Sequence, residues 1–236
     1  MIDLQGQLTA IPALGPENGG EGEFRKAECV KDWLQQLQVE SLLEVNAPDQ
    51  RVPSGLRPNL LVLFKGKSSA KRIWILSHLD VVPPGDISLW ATDPYIALEK
   101  EGKLFGRGVE DNQQGLVASL FAVKALQEEG LVPACDLGLV LVADEETGSG
   151  KGLEYVLSQK GELFRTNDLI VVPDAGSPDG SMIEVAEKSI LWLKFHIQGK
   201  QCHASTPEEG INAHKAGAHL IVKLNSLYAV YAQTDP

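Results

Sequence analysis

The sequence is poor in cysteine. Its 236 residues contain three cysteines, Cys29, Cys135 and Cys202, which are far apart and include no Cys-x-x-Cys pair. This spacing argues against both a disulfide framework and a thiolate zinc site. We expect all three to be small, partly buried side chains.

The sequence also lacks a long apolar run and a basic cluster. No stretch reaches the roughly 18 apolar residues that a membrane-spanning helix needs, and residues 1–5 do not begin a secretory signal. The net charge of −11 and the pI near 4.9 disfavour nucleic acid and anionic lipid as partners. We therefore predict a cytoplasmic protein that binds neither nucleic acid nor membrane.

Short hydrophobic runs alternate with amphipathic segments along most of the chain. Continuous apolar runs too short for helices are typical of strands buried on both faces, and they occur at residues 60–64, 73–76, 137–142 and 169–172. Helical periodicity occurs at residues 21–38, 113–129 and 152–159. This order predicts an α/β fold, with a mainly parallel sheet flanked by helices and ligand sites beyond the carboxyl ends of its strands.

The pattern changes near residue 186, where we predict a domain boundary. Residues 191–197 alternate between apolar and polar side chains, which predicts a strand with one apolar face, and a helix is expected from about residue 212 to 231. One strand and one helix are too few to close an independent core. We therefore expect residues 1–186 to form one domain and residues 187–236 to form the beginning of a second, incomplete one.

Histidine and carboxylate side chains each follow a short hydrophobic run or, for Asp111, a Gly-rich turn. Strand carboxyl ends meet at one edge of a parallel sheet, so these side chains should project toward a common point, and imidazole and carboxylate are metal ligands. The pattern indicates a metal-dependent hydrolase. The residues are His78, Asp80, Asp111, Glu145, Glu146 and Asp174.

Each of these residues also has an ordinary structural explanation. His78 and Asp80 could be a solvated strand end, and Asp111 or Asn112 could cap the following helix. Glu145 and Glu146 could be acidic residues that the dipole of a helix N-terminus favours, and Asp174 could form a turn. The recurrence at successive strand ends favours the metal site.

Chemistry suggests different roles for neighbouring residues. A metal-bound imidazole usually donates its free N–H to a carboxylate, and Asp80 is placed to accept from His78. Side chains of Glu145 and Glu146 diverge, so one can bind metal while the other serves as general base.

Taken together, the sequence resembles the metallopeptidases and amidohydrolases that include acetylornithine deacetylase, succinyl-diaminopimelate desuccinylase, carboxypeptidase G and aminoacylase. The similarity extends through nearly the whole chain. The matching segments are residues 57–60 (RPNL), 77–83 (SHLDVVP), Trp90 with 93–95 (DPY), 106–111 (GRGVED), 143–149 (ADEETGS) and Asp174.

The resemblance implies a two-zinc site, although cobalt or manganese would suit the same donors. His78 and Asp174 would hold one ion, Glu146 would help to hold the second, and Asp111 would bridge them. Asp80 would support the ligands and Glu145 would be the general base. The resemblance also implies a cis peptide bond after Asp111.

The resemblance further identifies residues 1–186 as the N-terminal part of a catalytic domain and residues 187–236 as the beginning of a smaller α+β dimerisation domain. A homodimer is therefore possible. His203 matches a histidine that stabilises an oxyanion in a partner's site, although an ordinary polar loop residue is the alternative. Asn212 fits the family and fits a helix N-cap equally well.

The sequence departs from the family in one metal ligand. The family supplies a further histidine from a returning C-terminal segment, and His196, His214 and His219 all lie in the stretch matched to the smaller domain. We therefore expect a chain that is truncated relative to the family, with a weakly bound second metal.

Several functions remain open at this stage. The first is removal of an acyl group, such as succinyl, from an N-acyl amino acid, and the second is dipeptidase or carboxypeptidase activity. A non-catalytic remnant that binds metal or a partner is the third. A single-zinc exopeptidase is disfavoured, because Asp111 would then bridge nothing.

Overall fold

The computed structural model describes residues 1–186 and 191–231, and the chain divides into two compact units, Met1–Glu184 and Val185–Pro236. The helices of the first unit are α1 (Ile2–Thr9), α2 (Phe24–Leu34), α3 (Gln113–Glu128) and α4 (Leu153–Lys160). Its strands are β1 (Ser41–Glu44), β2 (Ala47–Pro48), β3 (Leu56–Arg57), β4 (Leu60–Phe64), β5 (Arg72–His78), β6 (Leu98–Lys100), β7 (Lys103–Phe105), β8 (Asp136–Val142) and β9 (Leu169–Val171).

A five-stranded sheet in the order β1-β4-β8-β5-β9 forms the centre of the first unit. Strand β5 pairs in parallel with β8 and β9, whereas β4 lies antiparallel between β8 and β1. Four of the five strands therefore run in the same direction, which confirms the predicted α/β fold with a mostly parallel sheet. Two short hairpins, β2 with β3 and β6 with β7, lie outside this sheet.

Helices bury both faces of the sheet, as the continuous apolar runs predicted. Leu139 and Leu141 of β8 belong to the core beneath α1, α2 and α3. Val140 and Val142 belong to the core on the other face, with Val156 of α4. Successive side chains of a strand point to opposite faces, so a central strand with two packed faces must be apolar throughout.

The register of the sheet places two strand ends together. His78, the last residue of β5, lies opposite Val142, the last residue of β8. The segments that leave these two strands therefore start at the same edge of the sheet, which brings the residues after β8 close to His78.

Helix α2 is shorter than the predicted segment 21–38. It begins at Phe24, two residues after Gly22, whose φ of +77° belongs to the left-handed region that glycine favours. Beyond Leu34 the chain continues in turns. Apolar periodicity extends past the C-terminal end of the helix because Leu37, in the turns that follow, also packs against the core.

The strand predicted at residues 191–197 is wrong. These residues pair with no strand within the described part of the chain, and Trp192 is 90% exposed. Alternating side chains give one apolar face, but a strand exists only where a neighbouring strand accepts its backbone hydrogen bonds. Among residues 191–231 of the second unit there is instead one isolated bridge, between Lys200 and Ile211.

Helix α5 of the second unit spans Ala213–Tyr231, close to its predicted bounds. Asn212 Oδ1 accepts the backbone N–H of Lys215 at 2.9 Å, so Asn212 caps the helix. None of the helices in the described ranges is both long and apolar enough to cross a membrane. The three cysteines are free and partly buried, as predicted.

Candidate metal centre

His78 is a buried side chain of the candidate site, with 3% of its surface exposed. Its Nδ1 lies 3.0 Å from the carbonyl oxygen of Asp80, and its Nε2 lies 2.9 Å from Asp111 Oδ1. A carbonyl oxygen can only accept, so Nδ1 carries a hydrogen. Nε2 is therefore the nitrogen that faces the carboxylates and that can bind a metal.

Two aspartates complete a compact group of donors with His78. Asp111 precedes α3 and Asp174 follows β9. One donor atom from each of His78, Asp111 and Asp174 lies within 4.8 Å of the others. Asp174 Oδ1 is 3.8 Å from His78 Nε2. The fold thus brings residues from three distant parts of the chain to one point.

Asn112 is a site residue for which sequence reasoning offered only a capping role. Its side chain is 1% exposed and makes no helix-capping hydrogen bond. Nδ2 instead donates to Asp174 Oδ1 at 2.6 Å and to the carbonyl of Pro173 at 3.2 Å. The Asp111–Asn112 peptide bond is cis. Only its position next to Asp111 pointed to Asn112.

Glu145 and Glu146 lie in a short turn that Ala143 and Asp144 separate from the end of β8. Glu145 Oε2 is 3.9 Å from His78 Nε2, so this carboxylate lies beside the three-donor group. Glu146 does not belong to that group among the described residues. Neither glutamate belongs to the three-donor group, and Glu145 approaches it beside His78.

Asp80 connects His78 to the glutamate turn. Its carboxylate is 2% exposed, and its oxygens accept the backbone N–H groups of Glu145 at 3.1 Å and Glu146 at 3.0 Å. Asp80 Oδ1 also lies 3.4 Å from His78 Nδ1. The contact with His78 was expected, whereas the two bonds to the turn were not.

The carboxylates around one imidazole shift each other's pKa. Burial lowers the pKa of His78, but the charges of Asp80, Glu145 and Asp174 outweigh it and raise that pKa to about 9. Burial and the Asp111 carboxylate raise the pKa of Glu146 to about 7. The pKa of Glu145 is also raised, by burial first and then by nearby carboxylates, against the lowering effect of His78.

This donor set fits a divalent metal ion. Without a cation, clustered carboxylates repel one another and favour their protonated forms. An imidazole nitrogen with carboxylate oxygens is a set that zinc, cobalt and manganese accept. A cation at this point would offset the repulsion that the raised pKa values of Glu145 and Glu146 reflect.

His203 lies in the second unit, in an exposed loop. Its Nδ1 is 2.7 Å from Ser205 Oγ and accepts the Ser205 backbone N–H at 3.2 Å. These local contacts are typical of a polar loop residue. The role suggested for His203 stays a prediction.

Comparisons with known proteins support a metal-dependent hydrolase. Residues 74–224 match the family profile described as Peptidase family M20/M25/M40. An uncharacterized metallohydrolase of Methanocaldococcus jannaschii is 45% identical over 99% of this chain and 58% of its own length. A succinyl-diaminopimelate desuccinylase of Nitratiruptor is 28% identical over 95% of this chain and 56% of its own length. The chain thus spans a little over half the length of these curated relatives.

Solved structures share the fold. Human carnosine dipeptidase 1 aligns with a TM-score of 0.65 and 26% identity, covering 75% of this chain and 38% of that chain. An M20 family metallo-carboxypeptidase of Sulfolobus solfataricus aligns with a TM-score of 0.61 and 24% identity over the same shares. The second likeness concerns the fold alone.

Proposed function

The chain belongs to peptidase family M20/M25/M40, and from this premise we propose a function. By family it is a metallohydrolase that binds divalent metal. We propose that it holds two zinc ions and hydrolyses the amide bond of an N-acyl amino acid or small peptide. One observation carries the proposal. His78, Asp111 and Asp174 offer donor atoms within 4.8 Å of one another, with Glu145 next to them.

The proposed ligands divide between two ions. His78 and Asp174 would hold the first ion, and Asp111 would contribute to both. Glu146 would contribute to the second ion together with Asp111, whose carboxylate, after burial, raises the pKa of Glu146. Zinc is the default for mixed imidazole and carboxylate ligation, and cobalt or manganese would serve as substitutes.

Bound zinc ions supply Lewis-acid chemistry, which polarises a carbonyl group and acidifies water. Glu145 accepts the proton of the attacking water, whose oxygen forms a bond to the amide carbon. The carbon–nitrogen bond then breaks, and Glu145 delivers the proton to the leaving amine. The raised pKa of Glu145, which burial causes in the first place, suits a group that both accepts and donates.

Asp80 and His203 complete the proposed set of residues. Asp80 orients the site, because its buried carboxylate contacts the His78 ring and holds the N–H groups of Glu145 and Glu146. His203 stabilises the oxyanion of the tetrahedral intermediate. We further propose that residues 1–186 form the N-terminal part of the catalytic domain, that residues 187–236 begin a dimerisation domain, and that the protein forms a homodimer.

The first substrate class is an N-acyl amino acid, including N-succinyl compounds. The desuccinylase relative, aligned over 95% of this chain, supports it. The second class is a dipeptide or a peptide with a free carboxyl end, supported by the likeness to human carnosine dipeptidase 1. Both reactions break the same bond type and differ in what lies on the acyl side.

A substrate panel tests the proposal. The metal-loaded protein is mixed with N-acetyl amino acids, N-succinyl amino acids and dipeptides, and released amine is measured by a fluorogenic reagent. We expect turnover of at least one class, and loss of that turnover in Glu145→Gln, which keeps the size of the side chain but cannot accept the proton. A protein that binds zinc but releases no amine from any compound would instead be a non-catalytic remnant.

A further inference from the structure

Arg57 forms a buried ion pair that the proposed reaction does not use. Its side chain and that of Glu23 are both 0% exposed. Arg57 Nε donates to Glu23 Oε2 at 2.7 Å, and Nη2 donates to Glu23 Oε1. Such a bidentate pair fixes direction as well as distance. Burying two charges costs free energy. We therefore expect the pair to act mainly by orienting the residues around it.

The Arg57–Glu23 pair contacts Asp144, the residue directly before Glu145 and Glu146. Glu23 Oε1 also accepts the backbone N–H of Asp144 at 3.3 Å, and Arg57 Nη1 lies 3.5 Å from Asp144 Oδ1. Asp144 has a φ of +64°, in the left-handed region that non-glycine residues rarely adopt. Its carboxylate accepts the N–H of Lys151 at 2.8 Å. Asp144 is therefore fixed in a sparsely populated conformation by contacts with Glu23, Arg57 and Lys151.

Asn59 holds both ends of the same segment. Its Oδ1 accepts the backbone N–H of Ala143 at 3.0 Å, and its Nδ2 donates to the carbonyl of Lys151 at 2.9 Å. A further bond from Nδ2 to the carbonyl of Val45 at 2.9 Å anchors the amide to the neighbouring strand region. Asn59 is 0% exposed, so water does not compete for these bonds.

We propose that Arg57 and Asn59 are positioning residues for Glu145, which hold the backbone of residues 143–151 so that the Glu145 carboxylate stays beside His78. The role of Glu145 as general base rests on the proposed function. Arg57 contacts Glu23, Asp49 and Asp144, and its effect on the site passes through the turn.

Hydrogen exchange tests the positioning without any need for turnover. Peptides that cover residues 143–151 are followed by mass spectrometry in the metal-free protein, with a peptide from α3 as internal reference. Arg57→Lys keeps the charge but loses the forked geometry, and Asn59→Ala is a second variant that leaves the ion pair intact. Arg72→Lys is the matched control, because Arg72 is a partly buried arginine on β5 that bonds the carbonyl of Leu163.

We expect Arg57→Lys and Asn59→Ala each to raise exchange in residues 143–151 by about tenfold relative to α3, and Arg72→Lys to change it by less than about twofold. Unchanged exchange in that segment would overturn the proposal. Exchange that rises equally in α3 and in the turn would also overturn it, because that result indicates general destabilisation.

Measurements of kcat and KM then distinguish a failure of the positioning proposal from a failure of the proposed function. If the wild-type protein is active, Arg57→Lys should lower kcat by about tenfold or more, with KM within about threefold and zinc content unchanged. Raised exchange with an unchanged kcat would refute a role in positioning Glu145. If the wild-type protein turns over no compound of the panel, the proposed function fails, and hydrogen exchange alone decides whether Arg57 and Asn59 hold the turn.

Discussion

Lys26 provides a quantitative test of the electrostatics beneath the site. This side chain of α2 is 1% exposed, and burial lowers its pKa from 10.5 to about 8, although the charges of Asp80 and Glu23 partly oppose that shift. At about 1.4 kcal/mol per pH unit, the charged lysine reduces the free energy of unfolding at pH 7 by about 3 kcal/mol. Replacement of Lys26 by methionine removes this cost.

The sign of the pH dependence follows from proton binding. Between pH 8 and 10.5 the unfolded chain keeps the proton of Lys26 while the folded protein loses it. The contribution of Lys26 to the free energy of unfolding therefore rises with pH through this window. From pH 7 to pH 10 the wild-type protein should gain about 2.5 kcal/mol relative to Lys26→Met.

Urea unfolding of the metal-free proteins at pH 7 and pH 10 measures this difference. Lys31→Met is the matched control, because Lys31 lies on the same helix with its ammonium 2.9 Å from Glu44 at the surface. The control should show no comparable gain. A difference between wild type and Lys26→Met that stays constant within about 0.5 kcal/mol between the two pH values would refute the reasoning.

Two further predictions concern packing and metal affinity. Gly138→Ala places a Cβ 2.1 Å from Trp74 Cε3, so the free energy of unfolding should fall by about 1–3 kcal/mol in urea titrations; an unchanged midpoint would contradict the packing on this face. Asn112→Ala removes the 2.6 Å bond to Asp174 Oδ1 and should weaken zinc binding by about 10- to 100-fold in competition with a chelator. The exposed Asn167→Ala is its control, and equal affinities would show that Asn112 does not support the ligand.

Much of the fold could be predicted because its strands are buried on both faces. Residues such as Leu139 to Val142 must be apolar at every position, and that pattern is visible without the structure. For residues 191–197, by contrast, the local pattern was not sufficient to predict the structure. Their alternation describes one apolar face, but whether a strand forms depends on a pairing partner that the local sequence does not specify.

The site shows the same division between local and distant information. His78 and Asp174 were predictable as neighbours, because strand ends in a parallel sheet share an edge. Asp111 follows no strand of this sheet, so only the Gly-rich turn before it and the family resemblance pointed to it. The bonds from Asp80 to the glutamate turn and from Asn112 to Asp174 could not be predicted. They depend on exact distances between segments far apart in sequence, and residue types alone do not set such distances.

Zinc content per chain is the most direct test of the metal centre. The protein is loaded with zinc, passed through a desalting column and subjected to elemental analysis beside Asp111→Ala and the exposed control Asp93→Ala. Because Asp111 is 2.9 Å from His78 Nε2 and belongs to the three-donor group, we predict zinc in the wild type and in Asp93→Ala and its loss in Asp111→Ala. A wild-type protein without zinc, or equal zinc in all three proteins, would contradict the proposed site.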